Sequence, residues 1–178
     1  VTKAAGMNRR RNPGGPMSAT TAADRVWELV RNIRVCMLTS KTGSALRARP
    51  MHAMSDPEAG EIAFFTDARA HKDDEISADP DVCLAFAKPN ANEYVSLSGT
   101  AVVSNDRAEI RKRFTEMTKA YFPDGPDDPN IRLLKVTPHD GEYWDGSSNP
   151  LVVAFEVARA RLKGERPDLG ENRKVALG

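Results

Sequence analysis

Three basic or potentially basic side chains, Arg69, His71 and Lys72, crowd one short stretch of the chain. They follow a strand-like apolar run, Ile62-Ala63-Phe64-Phe65, and the break Thr66-Asp67. A short helix is expected from about Ala70. It must end before Asp79-Pro80, because a residue preceding proline is pushed out of the helical region. Cations at a helix start meet the positive end of the helix dipole, which is mildly unfavourable. Asp73, Asp74 and Glu75 offset them in part. An anion between the cations and the free helix N–H groups removes the conflict, and phosphate is the usual guest. Two charge-assisted hydrogen bonds from His71 and Lys72 would each contribute about 1.5–3 kcal/mol. The protonation of His71 would then act on affinity. The plainer reading of the same residues is a solvated, charged first turn.

Other chemistry is thinly represented. Cys36 and Cys83, the only cysteines, sit in the apolar runs VCML and VCLAF and read as buried thiols in a reducing cytoplasm. His52, His71 and His139 show no metal-ligand spacing with one another or with a cysteine. No G-x-S-x-G nucleophile elbow is present.

The elements that must position the basic cluster are mostly strands. Thr20 or Thr21 caps a first helix with Asp24 three residues on, and Val26, Leu29, Val30 and Ile33 form its apolar stripe. Strands are expected at residues 34–40 and 45–54 around the turn Lys41-Thr42-Gly43. In the second, Arg47, Arg49, Met51 and Ala53 share a face that either meets solvent or floors a ligand site. Pro50 marks an edge or a bulge. Further strands are expected at residues 81–87 and 94–103. In the latter Val95, Leu97 and Gly99 point one way, and Gly99 signals a bulge or bend. A long helix capped at residues 104–106 should bury Ile110, Phe114, Met117 and Tyr121. Strands at residues 131–136, 142–145 and 151–157 complete the set, and from Ala158 the chain is expected to be polar and peripheral. About seven or eight short strands with helices only at joints predict an α+β fold that is mainly β, an antiparallel barrel or strongly curved sheet.

The chain has 178 residues, which suits one domain at residues 20–178 after a disordered tail at residues 1–19 that is rich in Gly, Pro, Asn and Arg. With 40% apolar residues and a net charge of +1, composition gives no reason to expect a nucleic-acid or membrane partner. No apolar segment approaches a membrane span, and the tail lacks the apolar middle of a secretory signal, so a cytoplasmic location is expected. Arg9, Arg10 and Arg11 would suit a nucleic-acid arm, but the strands lack the dense basic and aromatic surface that such binding uses.

The order of pieces resembles the pyridoxamine 5′-phosphate oxidase-like flavin-binding split barrels, in particular the bacterial general stress protein branch. The resemblance spans roughly residues 22–157. It is carried by Arg47-Ala48-Arg49-Pro50-Met51, by Phe64-Phe65-Thr66-Asp67 with Lys72 six residues after the threonine, and by Asp79-Pro80. Tyr94-Val95-Ser96-Leu97-Ser98-Gly99 and Glu142-Tyr143-Trp144-Asp145 follow. It implies an antiparallel split β-barrel with FMN at the interface of a homodimer. Arg49 and Met51 would run beside the flavin, Phe65 and Thr66 would meet the ring or its tail, and His71 and Lys72 would grip the phosphate. Tyr94 would reach the flavin from the partner chain, and Trp144 would wall the ring edge. Two departures matter: Ala70 stands where many relatives have serine, and the C-terminus lacks the arginine-rich ending of the true oxidases. Vitamin B6 oxidation is therefore not assigned. The resemblance implies an FMN-dependent oxidoreductase. The alternatives are a flavin-binding stress or sensor protein without turnover, or a barrel adapted to haem or a deazaflavin.

Overall fold

Helix α1 (Ala22–Ile33) starts where Thr21 and Asp24 cap each other's backbone in a complete capping box. Its stripe of Val26, Leu29 and Val30 is buried, and Arg34, in the left-handed region, ends it by donating its N–H to the Val30 carbonyl. The computed structural model describes residues 21–70 and 72–178; the side chains at 70 and at 72–74 lie outside that description. The expected tail at residues 1–19 and the position of His71 lie outside it too.

The strands are β1 (Val35–Thr42), β2 (Ala45–His52), β3 (Met54–Asp56), β4 (Glu61–Asp67), β5 (Asp81–Lys88), β6 (Glu93–Ser104), β7 (Ile131–Gly146) and β8 (Gly170–Ala176). They pair antiparallel in the order β2-β1-β5-β6-β7-β4-β3, with β8 added to β7. The two ends of that order, β2 and β3, are consecutive in the chain and separated only by Ala53, whose N–H bonds to the Arg34 carbonyl at 2.7 Å. The sheet therefore curls back towards itself without closing, as a split barrel does. Its inner face carries the core, with Leu38, Phe64, Leu84, Leu97 and Val136 at or near zero exposure. Each such aliphatic or aromatic side chain contributes about 1.5–3 kcal/mol through burial. Among the described residues no helix is long and apolar enough to cross a membrane.

Several sequence expectations hold. Val95, Leu97 and Gly99 lie inward on β6, and the ladder to β7 slips between Ser98 and Gly99, at the position where glycine signals a bulge. Pro50 lies on β2, at one end of the strand order, the edge position that its missing N–H favours.

Four expectations are corrected. The strands expected at 131–136 and 142–145 are one strand, β7, which carries Pro138 through its middle opposite the Gly99 bulge. The strand expected at 151–157 is instead helix α5 (Pro150–Lys163), with Asn149 as N-cap, Pro150 at the first turn and Gly164 as left-handed C-cap. The segment after Ala158 is not merely peripheral: it returns as β8 and buries Val175. The long helix at 104–121 is broken into α3 (Arg107–Arg113) and α4 (Glu116–Lys119), because Phe114 turns extended and Thr115 caps afresh with Thr118. Ile110 is buried as expected, but Met117 and Tyr121 are 61% and 80% exposed.

Ion pairs fix α3 to the barrel. Arg113 bonds Glu61 at 3.2 Å and Glu109 at 3.0 Å, while Lys135 on β7 bonds Glu61 at 2.8 Å. Helix α2 (Lys72–Ala78) lies after β4, preceded by a single 3-10 turn, Ala68–Ala70.

Candidate functional site

A cavity of about 650 Å³ opens where β2 passes into β3. Its floor is Met51, Met54 and Phe65, one side chain from each of β2, β3 and β4. Thr66 and Asp67 line the end of β4. The opposite wall comes from the broken helix: Thr115, Met117 and Thr118, then Tyr121 and Phe122. Phe65 is fixed from behind by Phe114 and Phe122, with ring centroids at 6.1 and 6.3 Å.

Thr66 is the informative residue. It is 2% exposed, yet its Oγ1 has no hydrogen-bond partner among the described residues. Leaving a buried hydroxyl unsatisfied costs about 1–3 kcal/mol. It is the one buried side-chain polar atom so placed among the described residues, and it borders a cavity of ligand size. A molecule with phosphate or hydroxyl oxygens would satisfy it.

Past Thr66 the chain turns tightly. Asp67 accepts the Arg69 N–H at 2.8 Å and pairs with its guanidinium at 2.6 Å. Ala68 N–H bonds the Asn130 carbonyl at 2.8 Å. Arg69 is thus directed to Asp67, and Lys72 opens α2 directly after the turn.

Among its described side chains, helix α2 reaches the sheet through the Glu75 carboxylate. Glu75 accepts from Arg49 Nη2 at 2.8 Å and from Ser40 Oγ at 3.2 Å, and Arg49 also reaches Ser40 at 3.0 Å. The Arg49 hydrogen bond holds the Glu75 carboxyl below the usual range, against the opposing effect of partial burial. Ile76 is buried beside it.

Of the sequence-derived site residues, the fold brings Met51, Phe65 and Thr66 together around the cavity. Arg49 faces inward with Met51, since their partners on β1 are Leu38 and Cys36, which are buried. The expected face thus runs from exposed Arg47 through half-buried Arg49 to Met51 on the cavity floor. Arg49 points to Glu75 and is not among the described lining residues. Tyr94 and Trp144 are cross-strand neighbours on β6 and β7. Thr66 pairs with Arg132 at the other end of β7. Twelve residues separate Arg132 from Trp144, about 40 Å along a straight strand. Across the sheet, however, Tyr94 pairs with Ala87, next to the Phe86 that faces Cys36, so it lies two strands from Val35 on the cavity rim. Neither Tyr94 nor Trp144 is among the described lining residues.

Sequence reasoning missed the far wall. Thr115 and Thr118 carried the signal, a capping pair in the middle of an apparent helical stripe. His52 also lines the cavity, at the end of β2. A second, more open cavity of about 550 Å³ includes Lys41, Asp79, Cys83 and His139. Lys41 pairs with Asp79 at 3.1 Å and His139 with Thr100 at 3.1 Å.

Comparison with known proteins agrees with this architecture. The family described as pyridoxamine 5′-phosphate oxidase like matches residues 21–168. The chain is similar to a solved structure from Jannaschia sp. CCS1 described as a general stress protein 26. The identity is 30% and the TM-score 0.70, over 85% of this chain and 95% of that one. It is 25% identical over 145 residues to protein bli-3 of Neurospora crassa, covering 77% of this chain and 69% of that protein. A general stress FMN/FAD binding protein from Xanthomonas citri shares the fold, with TM-score 0.62 at 24% identity over 68% of this chain and 86% of that one.

Proposed function

The chain belongs to the pyridoxamine 5′-phosphate oxidase-like family, and from that premise we propose that it binds FMN in the cavity beside Thr66, as a homodimer, and serves as an FMN-dependent oxidoreductase for a small molecule. The observation that carries the reading is the buried Thr66 hydroxyl, unsatisfied by the described residues, on the wall of a cavity with an apolar floor. That combination suits a cofactor with a flat, largely apolar ring and a polyol-phosphate tail. The Xanthomonas citri relative described as binding FMN or FAD points the same way.

In this reading Thr66 donates its hydroxyl to the tail, and His71 and Lys72 neutralise the phosphate. Met51 and Phe65 pack on the ring. Arg49 acts through Glu75, holding α2 so that Lys72 starts where the tail ends. The bound flavin supplies hydride or single-electron chemistry, which no side chain here offers. Met51, Met54 and Phe65 would shield one side of a bound ring from water. His52 is the lining side chain of a type that moves protons near neutral pH.

The homodimer is part of the proposal: Tyr94 and Trp144 are not among the described lining residues of the cavity, and they share a sheet face with its Val35 rim. In a symmetric dimer, each chain can offer that pair to its partner's cavity. Both cysteines are free, which suits the reducing cytoplasm in which we place the protein.

A second reading, a flavin carrier or stress sensor without turnover, is favoured by one observation. Asp67, the one carboxylate among the described lining residues, is committed to Arg69. Redox assays with candidate reductants and acceptors separate the two. An enzyme reduces and reoxidises its flavin faster than free FMN does, and a carrier does not.

The test of the site is Lys72→Ala. FMN retention through gel filtration should fall while the circular dichroism spectrum stays unchanged. Undiminished retention would move the phosphate away from α2.

A further inference from the structure

Strands β7 and β8 stay paired as far as Gly146 and Gly170, and residues 147–169 leave and return through one narrow neck. Ser147 N–H bonds the Leu169 carbonyl at 3.1 Å across it. Gly170 sits at φ +142°, and a β-carbon there would strike the Asp145 carbonyl and the Gly146 backbone, so the neck admits no side chain. Helix α5 projects from this neck. It is apolar on two sides. Towards the body lie Val153 and Val157, half-buried, and Ala160, which is 3% exposed. On the other side lie Leu151 at 80% exposure, Phe155 at 66% and Leu162 at 89%, with Ala158, also exposed, between them. Their spacing of four, three and four residues makes one continuous stripe along the helix. An uncovered stripe of this size marks an interaction surface.

Among the described residues a second apolar surface is exposed, and its Val35 and Pro50 also rim the Thr66 cavity. On the outer face of the sheet, Pro50 of β2 pairs with Met37 of β1, Met37 with Ala85 of β5, and Ala85 with Ser96 of β6. Val35, Ala48 and Ala87 extend this exposed shelf of small and apolar side chains. A sheet face of this kind is normally covered by a helical layer. On β7 the shelf continues through Ser96 to Glu142, with Asp140 beyond it. The last turn of α5 carries Arg161 and Lys163. Both surfaces are apolar, and the carboxylates of Glu142 and Asp140, with Lys174 across from Glu142, stand at the end that the cations of α5 could meet.

We propose that α5 is a clasp for a second copy of this chain. Its Leu151–Phe155–Ala158–Leu162 stripe lies on the outer sheet face of the partner, with Arg161 and Lys163 towards the partner's Glu142 and Asp140. The partner's α5 returns the same contact. An isologous dimer uses each surface twice and leaves neither bare. The proposal rests on the homodimer reading above and says what holds that dimer together.

The test uses the full chain. In Phe155→Glu/Leu162→Glu, two carboxylates would be buried without partners, and the dimer dissociation constant by analytical ultracentrifugation should rise about 100-fold or more. The melting profile of the monomer should not change, because both positions are exposed. In parallel, the photo-crosslinker benzoylphenylalanine in place of Phe155 should link to β1 or β5 peptides of the other chain, identified in mixed ¹⁴N/¹⁵N dimers. A wild-type chain that is monomeric at all concentrations overturns the homodimer and the clasp together. A dimer of unchanged affinity in the double variant, with crosslinks elsewhere, overturns the clasp alone. So does wild-type binding to phosphatidylglycerol vesicles that the double variant loses while its dimer persists, which would make α5 a membrane-surface helix.

Discussion

Thr66 keeps a buried hydroxyl without a partner among the described residues, in a strand where valine would fill the same space. The two roles of that hydroxyl can be separated. Thr66→Val should raise the melting temperature of the flavin-free protein, since it removes an unsatisfied buried group that costs about 1–3 kcal/mol. The same change should weaken FMN binding about tenfold, through the loss of one hydrogen bond to the cofactor's tail. Calorimetry and flavin fluorescence give the two numbers on one sample. Opposite signs support the site, and a drop in both would make Thr66 an ordinary packing residue. At this scale the sequence is most legible where residues are consecutive. Met51, Phe65 and Thr66 meet at one cavity. Arg49, expected beside a ligand, sends its guanidinium to Glu75, a contact across the fold that no local pattern announces. Cys36 fits its apolar run: burial pushes its thiol up to about 12, with Cys83 adding to the effect, so it carries no thiolate chemistry near neutral pH.

At the scale of elements, α2 is tied to β1 and β2 by the Glu75 carboxylate and packed on the core by Ile76. The Glu75 pKa is depressed in the folded state, so the stabilisation from its contacts with Arg49 and Ser40 is complete above the unfolded value of about 4.3. It disappears as pH falls through the lower folded value. FMN affinity should therefore drop below about pH 4.3 in wild type. In Glu75→Gln, affinity should be lower at neutral pH, with less of that acid dependence. An identical acid profile in both proteins would detach α2 from the Arg49 tie. The bulge between β6 and β7 is equally specific. A β-carbon at Gly99 would sit 2.6 Å from the Thr137 carbonyl oxygen and 2.9 Å from the Pro138 Cα. Gly99→Ala should destabilise the fold by about 1–3 kcal/mol in urea titration, and a neutral result would mean that the ladder can open there. Gly99 is readable in the sequence because a glycine inside an alternating strand weakens it unless a bulge or a close backbone approach requires it. Helix α5 is misread as a strand because LVVAFEV is continuous and rich in valine, and periodicity alone does not separate a short buried strand from a helix. The flanking Asn149-Pro150 and Gly164 are the better signal. The α3–α4 break is hidden by a regular apolar spacing that the fold does not bury: Met117 and Tyr121 face the cavity mouth instead.

At the scale of the whole molecule, the mainly β, antiparallel architecture is legible because most strands carry their own alternation and turn chemistry. The count of eight is reached only because β3 and β8, unforeseen, replace a strand read as two and a helix read as a strand. The split is not readable from composition or periodicity. It depends on Ala53 interrupting β2 and β3, and on the Arg34 carbonyl that takes its N–H. Strand β8 escapes notice because it buries only Val175 and is otherwise exposed. Tyr94 and Trp144 are not among the described residues that line the Thr66 cavity, and in the proposed homodimer they would meet the partner's flavin. The central claim is that the Thr66 cavity holds FMN. Its most direct measurement is a titration of the purified protein with FMN, followed by the absorbance and fluorescence of the flavin. The account predicts saturable binding at one FMN per chain, with resolved bands of a buried ring and with riboflavin, which lacks the phosphate, binding at least about tenfold more weakly. A protein that leaves the FMN spectrum unchanged at a large excess of cofactor would contradict it.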